Sequence, residues 1–82
     1  MDIQHLRYFL TVSRTLNYTK AAEELYISRQ AVAQAVRQLE TELQSPLLIN
    51  RKNTLALTPL GKVFQKEASK LCGHLVSLRR QC

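Results

Sequence analysis

Ser28-Arg-Gln-Ala-Val-Ala-Gln-Ala-Val-Arg-Gln-Leu-Glu40 is the stretch on which the reading of this chain turns. Ser28 is a good N-cap, because its hydroxyl accepts from the free backbone N–H groups of a first helical turn. On a helical wheel Val32, Ala35, Val36, Leu39 and Leu43 fall on one side, at the spacing of a core-facing stripe. The opposite side carries Gln30, Gln34, Arg37 and Thr41, flanked by Ala33 and Gln38, with no acid at its centre. A solvated helix ordinarily mixes Glu with Lys on such a face. Gln and Arg have the paired donors and acceptors that match adenine and guanine edges in the DNA major groove. A small Ala33 lets the backbone approach the bases or touch a thymine methyl. Taken alone, the stretch reads equally well as a polar face of no consequence, so its surroundings decide.

Upstream, Asp2 is a plausible cap, and Ile3, Leu6, Phe9 and Leu10 recur at helical steps with Val12 alongside. A first, core-forming helix is expected over Ile3–Thr15, with His5 a surface or packing residue. Leu16-Asn-Tyr-Thr19 breaks the pattern and offers two capping residues, Asn17 and Thr19. Lys20-Ala-Ala-Glu-Glu-Leu25 follows with strong helix formers, and adjacent Ala21 and Ala22 let another helix cross closely. Tyr26-Ile27 makes a short turn before Ser28. Helix, tight turn, and a second helix polar on its outside is the helix-turn-helix order, whose second helix enters the major groove. Glu23 and Glu24 then have to face away from the phosphates.

Downstream, Pro46 forbids continuation of the helix. Leu47-Leu-Ile-Asn50 and Thr54-Leu-Ala-Leu57 are short apolar runs around a polar turn, a hairpin whose tip holds Arg51 and Lys52, with Asn53 closing it. Cations on a small ribbon suit a narrow minor groove or the phosphates beside it; a solvated turn is the competing reading. Thr58 and Pro59 then start a helix as N-cap and first helical residue. Leu60, Phe64, Ala68, Leu71, Leu75, Leu78 and Cys82 follow at three- and four-residue steps, a coiled-coil-like seam. The Leu60–Phe64 end is expected to pack on the chain's own body. The rest exceeds what so small a body can cover, which predicts a homodimer with Phe64, Ala68, Leu71, Leu75 and Leu78 at its interface.

Composition narrows the class. Eighty-two residues make one small, mostly helical unit, too small to bury a deep catalytic cleft. Lys and Arg number 12 against 6 Asp and Glu, a formal charge of +6 that favours a polyanionic partner. Lys62, Lys66, Lys70, Arg79 and Arg80 concentrate that charge in the second half. There is no bilayer-spanning apolar run and no leader pattern, so a cytoplasmic chain is expected. Cys72 and Cys82 lie too far apart on one helix to pair and are expected as free thiols. His5 and His74, with no Cys/His/acid spacing around them, give no metal site, and Gly61 and Gly73 make no phosphate loop. The Glu23-Glu24 and Glu40/Glu42 pairs read as solvated-helix features. No catalysis and no cofactor are expected.

Taken together, the chain resembles the N-terminal DNA-binding domain of LysR-type transcriptional regulators over its whole length. The residues that carry the likeness are Leu6-Arg7-Tyr8-Phe9, Asn17-Tyr18-Thr19-Lys20-Ala21-Ala22, Leu25-Tyr26-Ile27-Ser28, Ala31-Val32, Leu39-Glu40 with Leu43, Pro46-Leu47, and Leu57-Thr58-Pro59 with Gly61. At these spacings the set is highly specific. The resemblance implies a mainly α fold: a winged helix-turn-helix of three core helices and a small β-hairpin wing, then a long dimerisation helix. It divides the chain into a DNA-binding unit, 1–58, and a linker helix, 59–82, and the family's usual effector-binding domain is not expected within these residues. Arg29, Gln30, Ala33, Gln44, Leu48 and Asn50 depart from the residues common in the family, and Arg51 comes one place after a frequent Arg.

The expected partner is double-stranded DNA carrying an interrupted palindrome, read by a homodimer. Gln30, Ala33, Gln34 and Arg37 are the candidates for base edges, and Asn17, Thr19, Lys20, Ser28 and Arg29 for phosphates, two helix N-termini among them. Arg51, Lys52 and Asn53 form the wing. No small-molecule ligand and no membrane are expected for these residues. The rival readings are a pure dimerisation module, which leaves the Gln/Arg face and the wing unexplained, and a basic membrane-surface helix over Lys62–Arg80, which the apolar seam disfavours.

Overall fold

In the computed structural model, residues 2–79 are described along the backbone and residues 2–70 with their side chains. The order is α1 (Ile3–Thr15), α2 (Tyr18–Leu25), α3 (Arg29–Leu43), β1 (Leu48–Arg51), β2 (Thr54–Leu57) and α4 (Pro59–Arg79). No helix among the described residues is long and apolar enough to cross a membrane.

Each helix starts where its cap lies. Asp2, Asn17 and Ser28 accept from the N–H groups of Gln4, Lys20 and Ala31, each at 3.0 Å. Asn17 therefore caps α2, and Thr19 lies one turn-position inside it. The helix ends are less usual: α1, α2 and α3 close on Leu16, Tyr26 and Gln44, at φ of 52°, 58° and 55°. Glycine is the common residue for this left-handed closure, because it has no Cβ to clash there. Ile27 N–H reaches back to Ala22 O at 3.1 Å, and Ser45 N–H to Glu40 O at 3.1 Å, so both turns are closed by hydrogen bonds. Thus α3 runs to Leu43, and Gln44 stops it two residues before Pro46.

Leu6, Phe9 and Val12 of α1 and Val32, Val36 and Leu39 of α3 face each other in one core, which Ala21 and Ala22 of α2 approach closely. Phe9, Val12, Val32, Leu39 and Leu47 are wholly shielded from water. Full burial of one such side chain is worth about 1.5–3 kcal/mol, so these residues dominate the stability of so small a body. The first turns of α4 close the core from the far side. Phe64 meets Phe9 edge-on, with ring centroids 5.4 Å apart. Gln65 Nε2 donates to the buried Ser13 hydroxyl at 3.0 Å, and Ala68 is buried. Phe64 packs on the chain's own body, as expected for this end of α4, and Ala68 is buried there too, while Leu60, expected to pack with Phe64, and Val63 are exposed. Leu71, Leu75 and Leu78, like Cys72 and Cys82, lie outside the residues whose side chains are described.

The hairpin pairs Leu48 with Leu57, Ile49 with Ala56, Asn50 with Leu55 and Arg51 with Thr54. Arg51 is thus a strand residue and not part of the tip. The tip is Lys52-Asn53 alone, with φ of 51° and 63°. Two consecutive left-handed residues make the primed turn whose twist suits a two-residue hairpin.

Candidate nucleic-acid interface

The apolar stripe of α3 is buried as its spacing predicts, and that burial orients the opposite face. Gln30, Gln34, Arg37, Gln38 and Thr41 are exposed together, and Ala33 is half-buried at their edge. Thr41 Oγ1 donates to Arg37 O at 2.9 Å, which turns its hydroxyl back onto the helix. Gln38 joins this face beside Gln34. The sequence placed it there as a flank and assigned it no role.

Two helix N-termini open near this face. Asn17 and Ser28 engage the third amide of their helices, which leaves the amides of Tyr18 and Thr19, and of Arg29 and Gln30, for an outside acceptor. The side chains of Asn17 and Ser28 are therefore committed to capping, and what these sites offer an anion is backbone N–H. Lys20 and Arg29 are exposed beside them. Among the described residues the ion pairs are Arg14 with Glu24 at 2.6 Å and Lys70 with Glu67 at 3.8 Å. Lys20, Arg29, Arg37, Arg51 and Lys52 have no such partner among the described residues. Pairing with Arg14 draws Glu24 into a contact between α1 and α2, and Glu23 is exposed.

Glu40 corrects the reading of the acids as solvated-helix features. Its Oε2 accepts from the backbone N–H of Leu47 at 2.8 Å and of Leu48 at 3.3 Å. The carboxylate near the end of α3 thereby ties down the start of β1, and so sets the wing relative to the helix. From the other side Thr58 holds the same segment: its N–H donates to Leu47 O at 3.0 Å, and its hydroxyl to Pro46 O at 2.8 Å. That hydroxyl also accepts from Gly61 N–H at 2.9 Å, capping α4.

Tyr18 lies in the Asn17-Tyr18-Thr19-Lys20-Ala21-Ala22 run. Its ring packs against the core, and burial pushes its phenol above the ordinary value of 10.0, with Glu40 acting in the same direction and Arg37 and Arg29 against it. Tyr26 was placed in a turn and is almost wholly exposed, at 94%. Among the described residues no group of His, Cys, Asp and Glu could hold a metal ion.

The sequence pattern of the bacterial regulatory helix-turn-helix proteins of the lysR family matches residues 3–62. Among curated relatives, the Hca operon transcriptional activator HcaR of Escherichia coli (strain K12) is 41% identical over 68 residues, which are 83% of this chain and 23% of HcaR. The HTH-type transcriptional regulator CatR of Pseudomonas putida is 40% identical over 68 residues, again 83% of this chain and 23% of that protein. The chain thus spans about a quarter of the length of these relatives. Among solved structures, the BenM DBD in complex with catB site 1 DNA superposes with a TM-score of 0.91 at 32% identity, covering 98% of this chain and 89% of that one. CbnR, a LysR family transcriptional regulator, superposes with a TM-score of 0.83 at 28% identity, over 98% of this chain and 29% of CbnR.

Proposed function

The chain belongs to the lysR family of bacterial regulatory helix-turn-helix proteins, and from that premise we propose that it reads an operator in double-stranded DNA as the DNA-binding part of a transcriptional regulator. The observation that carries this reading is the exposed, acid-free face of α3, with Lys20, Arg29 and Arg37 around it and no ion pair made by any of them among the described residues. The BenM neighbour, solved on DNA, supports it.

In this reading α3 lies in the major groove. Gln30, Gln34 and Arg37 address base edges, with Ala33 at the closest approach, each lost contact removing about 1–3 kcal/mol of discrimination. Phosphates are held by the amide ends of α2 and α3, capped by Asn17 and Ser28, and by Thr19, Lys20 and Arg29. The wing places Lys52 and Asn53 at the minor groove or its flanking phosphates, with Arg51 on the strand behind them. Residues 1–58 form the reading unit. Residues 59–82 form a linker helix that pairs two copies through its later turns, Leu71, Leu75 and Leu78, so the operator is an interrupted palindrome. The protein works in the cytoplasm, catalyses no reaction, and needs no cofactor or small ligand in this part.

Selection from random duplex DNA at two salt concentrations tests this. The expected result is an interrupted palindrome, with affinity falling steeply as salt rises. Binding without an enriched sequence would overturn specific reading by this part alone. Absence of binding at low salt would overturn the DNA reading and favour a dimerisation module.

A further inference from the structure

Tyr18 is the first residue of α2, directly after the Asn17 cap. Its ring is half-buried and packs against the core formed by α1 and α3. A phenylalanine would fill that place equally well, so the hydroxyl calls for a separate explanation. No hydrogen bond to it is made among the described residues, and it is not one of the enclosed polar atoms left without a partner, so it opens to solvent. The same hydroxyl lies within electrostatic reach of the Arg29 and Arg37 guanidiniums and of the Glu40 carboxylate. Arg29, Ala33 and Arg37 follow at four-residue steps and form one ridge of α3. Tyr18 therefore stands beside α3, within reach of the two guanidiniums of a ridge that carries Ala33 and Arg37 of the base-reading face.

A neutral O–H has one proton to donate, and here it is partly desolvated with no internal acceptor. An acceptor near two guanidiniums is most favourable when it is an anion, and a hydrogen bond to an ionised acceptor is stronger than one between neutral groups. Glu40 does not fill this role: no hydrogen bond joins it to Tyr18 among the described residues, and its Oε2 is turned to the Leu47 and Leu48 amides. Resting on the DNA reading above, we infer that the Tyr18 hydroxyl donates to a backbone phosphate of the bound duplex, at the edge of the groove that α3 enters. Such a contact fixes register without reading sequence. It releases no counterion, because the donor is uncharged.

Tyr18→Phe removes the hydroxyl and keeps the ring. Binding is measured by fluorescence anisotropy on the selected palindrome and on a scrambled duplex, across a salt series. The expected result is a loss of about 5- to 10-fold on both duplexes, with sequence preference and salt slope unchanged and thermal stability close to that of the parent chain. Arg29→Gln provides the contrast, since removing a cation lowers the salt slope by about one. Parental affinity in Tyr18→Phe would overturn the inference. So would a loss confined to the palindrome, because the hydroxyl would then act by orienting Arg37 at a base. Failure of the parent chain to bind either duplex would instead overturn the DNA reading itself.

Discussion

Gly61 passes against the carbonyl oxygen of Leu47 with no space between them for a side chain, since a Cβ at position 61 would overlap that oxygen and press on Leu57. The opposing atom is backbone, held by Thr58 N–H at 3.0 Å, and cannot swing aside as a flexible side chain would. Gly61 is helical, so its role is steric and not conformational. It lets α4 start against the segment that enters the wing. Gly61→Ala should therefore destabilise the chain by about 1–3 kcal/mol, although alanine favours the helix. Urea unfolding followed by circular dichroism checks this. A gain in stability would mean that α4 can shift away from Leu47 without loss.

Glu40 makes the complementary attachment from α3. Glu40→Ala leaves the N–H groups of Leu47 and Leu48 without their acceptor in a partly buried place, at a cost of about 1–3 kcal/mol. For a chain of this size each kcal/mol lowers Tm by about 4–8 °C. Glu40→Gln keeps a carbonyl oxygen and should lose less. Amide exchange at Leu47 and Leu48 should accelerate more than at Val32 or Leu39, which distinguishes loosening of the wing from global unfolding.

The helix order and the restart at Thr58-Pro59 were legible because each depends on neighbours a few residues apart. Ser28, Asn17 and Thr58 cap the helices that immediately follow them, and Val32, Val36 and Leu39 announce their buried face by spacing. Glu40 was misread because its acceptors' partners are backbone amides seven and eight residues on, which no side-chain pattern records. Arg51 was placed at the hairpin tip because the strand register is fixed by the turn, and a Lys-Asn primed turn has a weak signature. Phe64 and Ala68 show a further limit. Their periodicity marks an apolar face and puts Phe64 at the end that packs on the chain's own body, yet only the packing of α4 on α1 shows that the covered part extends to Ala68 and leaves Leu60 exposed. Thr15 and Leu25 end α1 and α2 where the sequence pattern breaks, but the end of α3 was hidden, since Gln44 takes a conformation that usually advertises itself as glycine.

That last feature is open to test at Gln44, which is exposed and holds φ at 55°. Glycine relieves the left-handed strain at this position, while its freedom in the unfolded chain offsets part of the gain. Gln44→Gly should stabilise the chain by about 0.5–1 kcal/mol, seen as a higher urea midpoint with unchanged slope. Destabilisation would show that the Gln44 side chain supports the end of α3 by contacts that outweigh its backbone strain.

Tyr18 gives a pH dependence with a definite sign. Its burial, reinforced by Glu40 and opposed by Arg37 and Arg29, holds the folded-state pKa above the unfolded value near 10. Below pH 10 the phenol is protonated in both states, and its contribution to stability is fully present. As pH rises through the folded-state value the unfolded chain binds fewer protons than the folded one, so that contribution is lost. Unfolding free energy should fall between pH 9 and pH 11 more steeply in the parent chain than in Tyr18→Phe. Equal slopes would mean that the phenol ionises as easily in the folded chain as in the unfolded one.

At the wing, stability and DNA affinity should separate. Lys52 and Asn53 both hold positive φ, at 51° and 63°, in a turn for which Asn-Gly is the favoured pair. Lys52→Asn places a residue tolerant of that geometry at the first position, so the hairpin should gain a few tenths of a kcal/mol. The same substitution removes an exposed cation that the proposed function sets against phosphate. Affinity should then fall on every duplex alike and the salt slope by about one, with the selected palindrome still preferred. Thermal unfolding and a salt titration of binding read the two effects separately. If stability rises and binding is unchanged, the tip of the wing does not touch DNA, and any groove contact must come from Arg51 on the strand behind it.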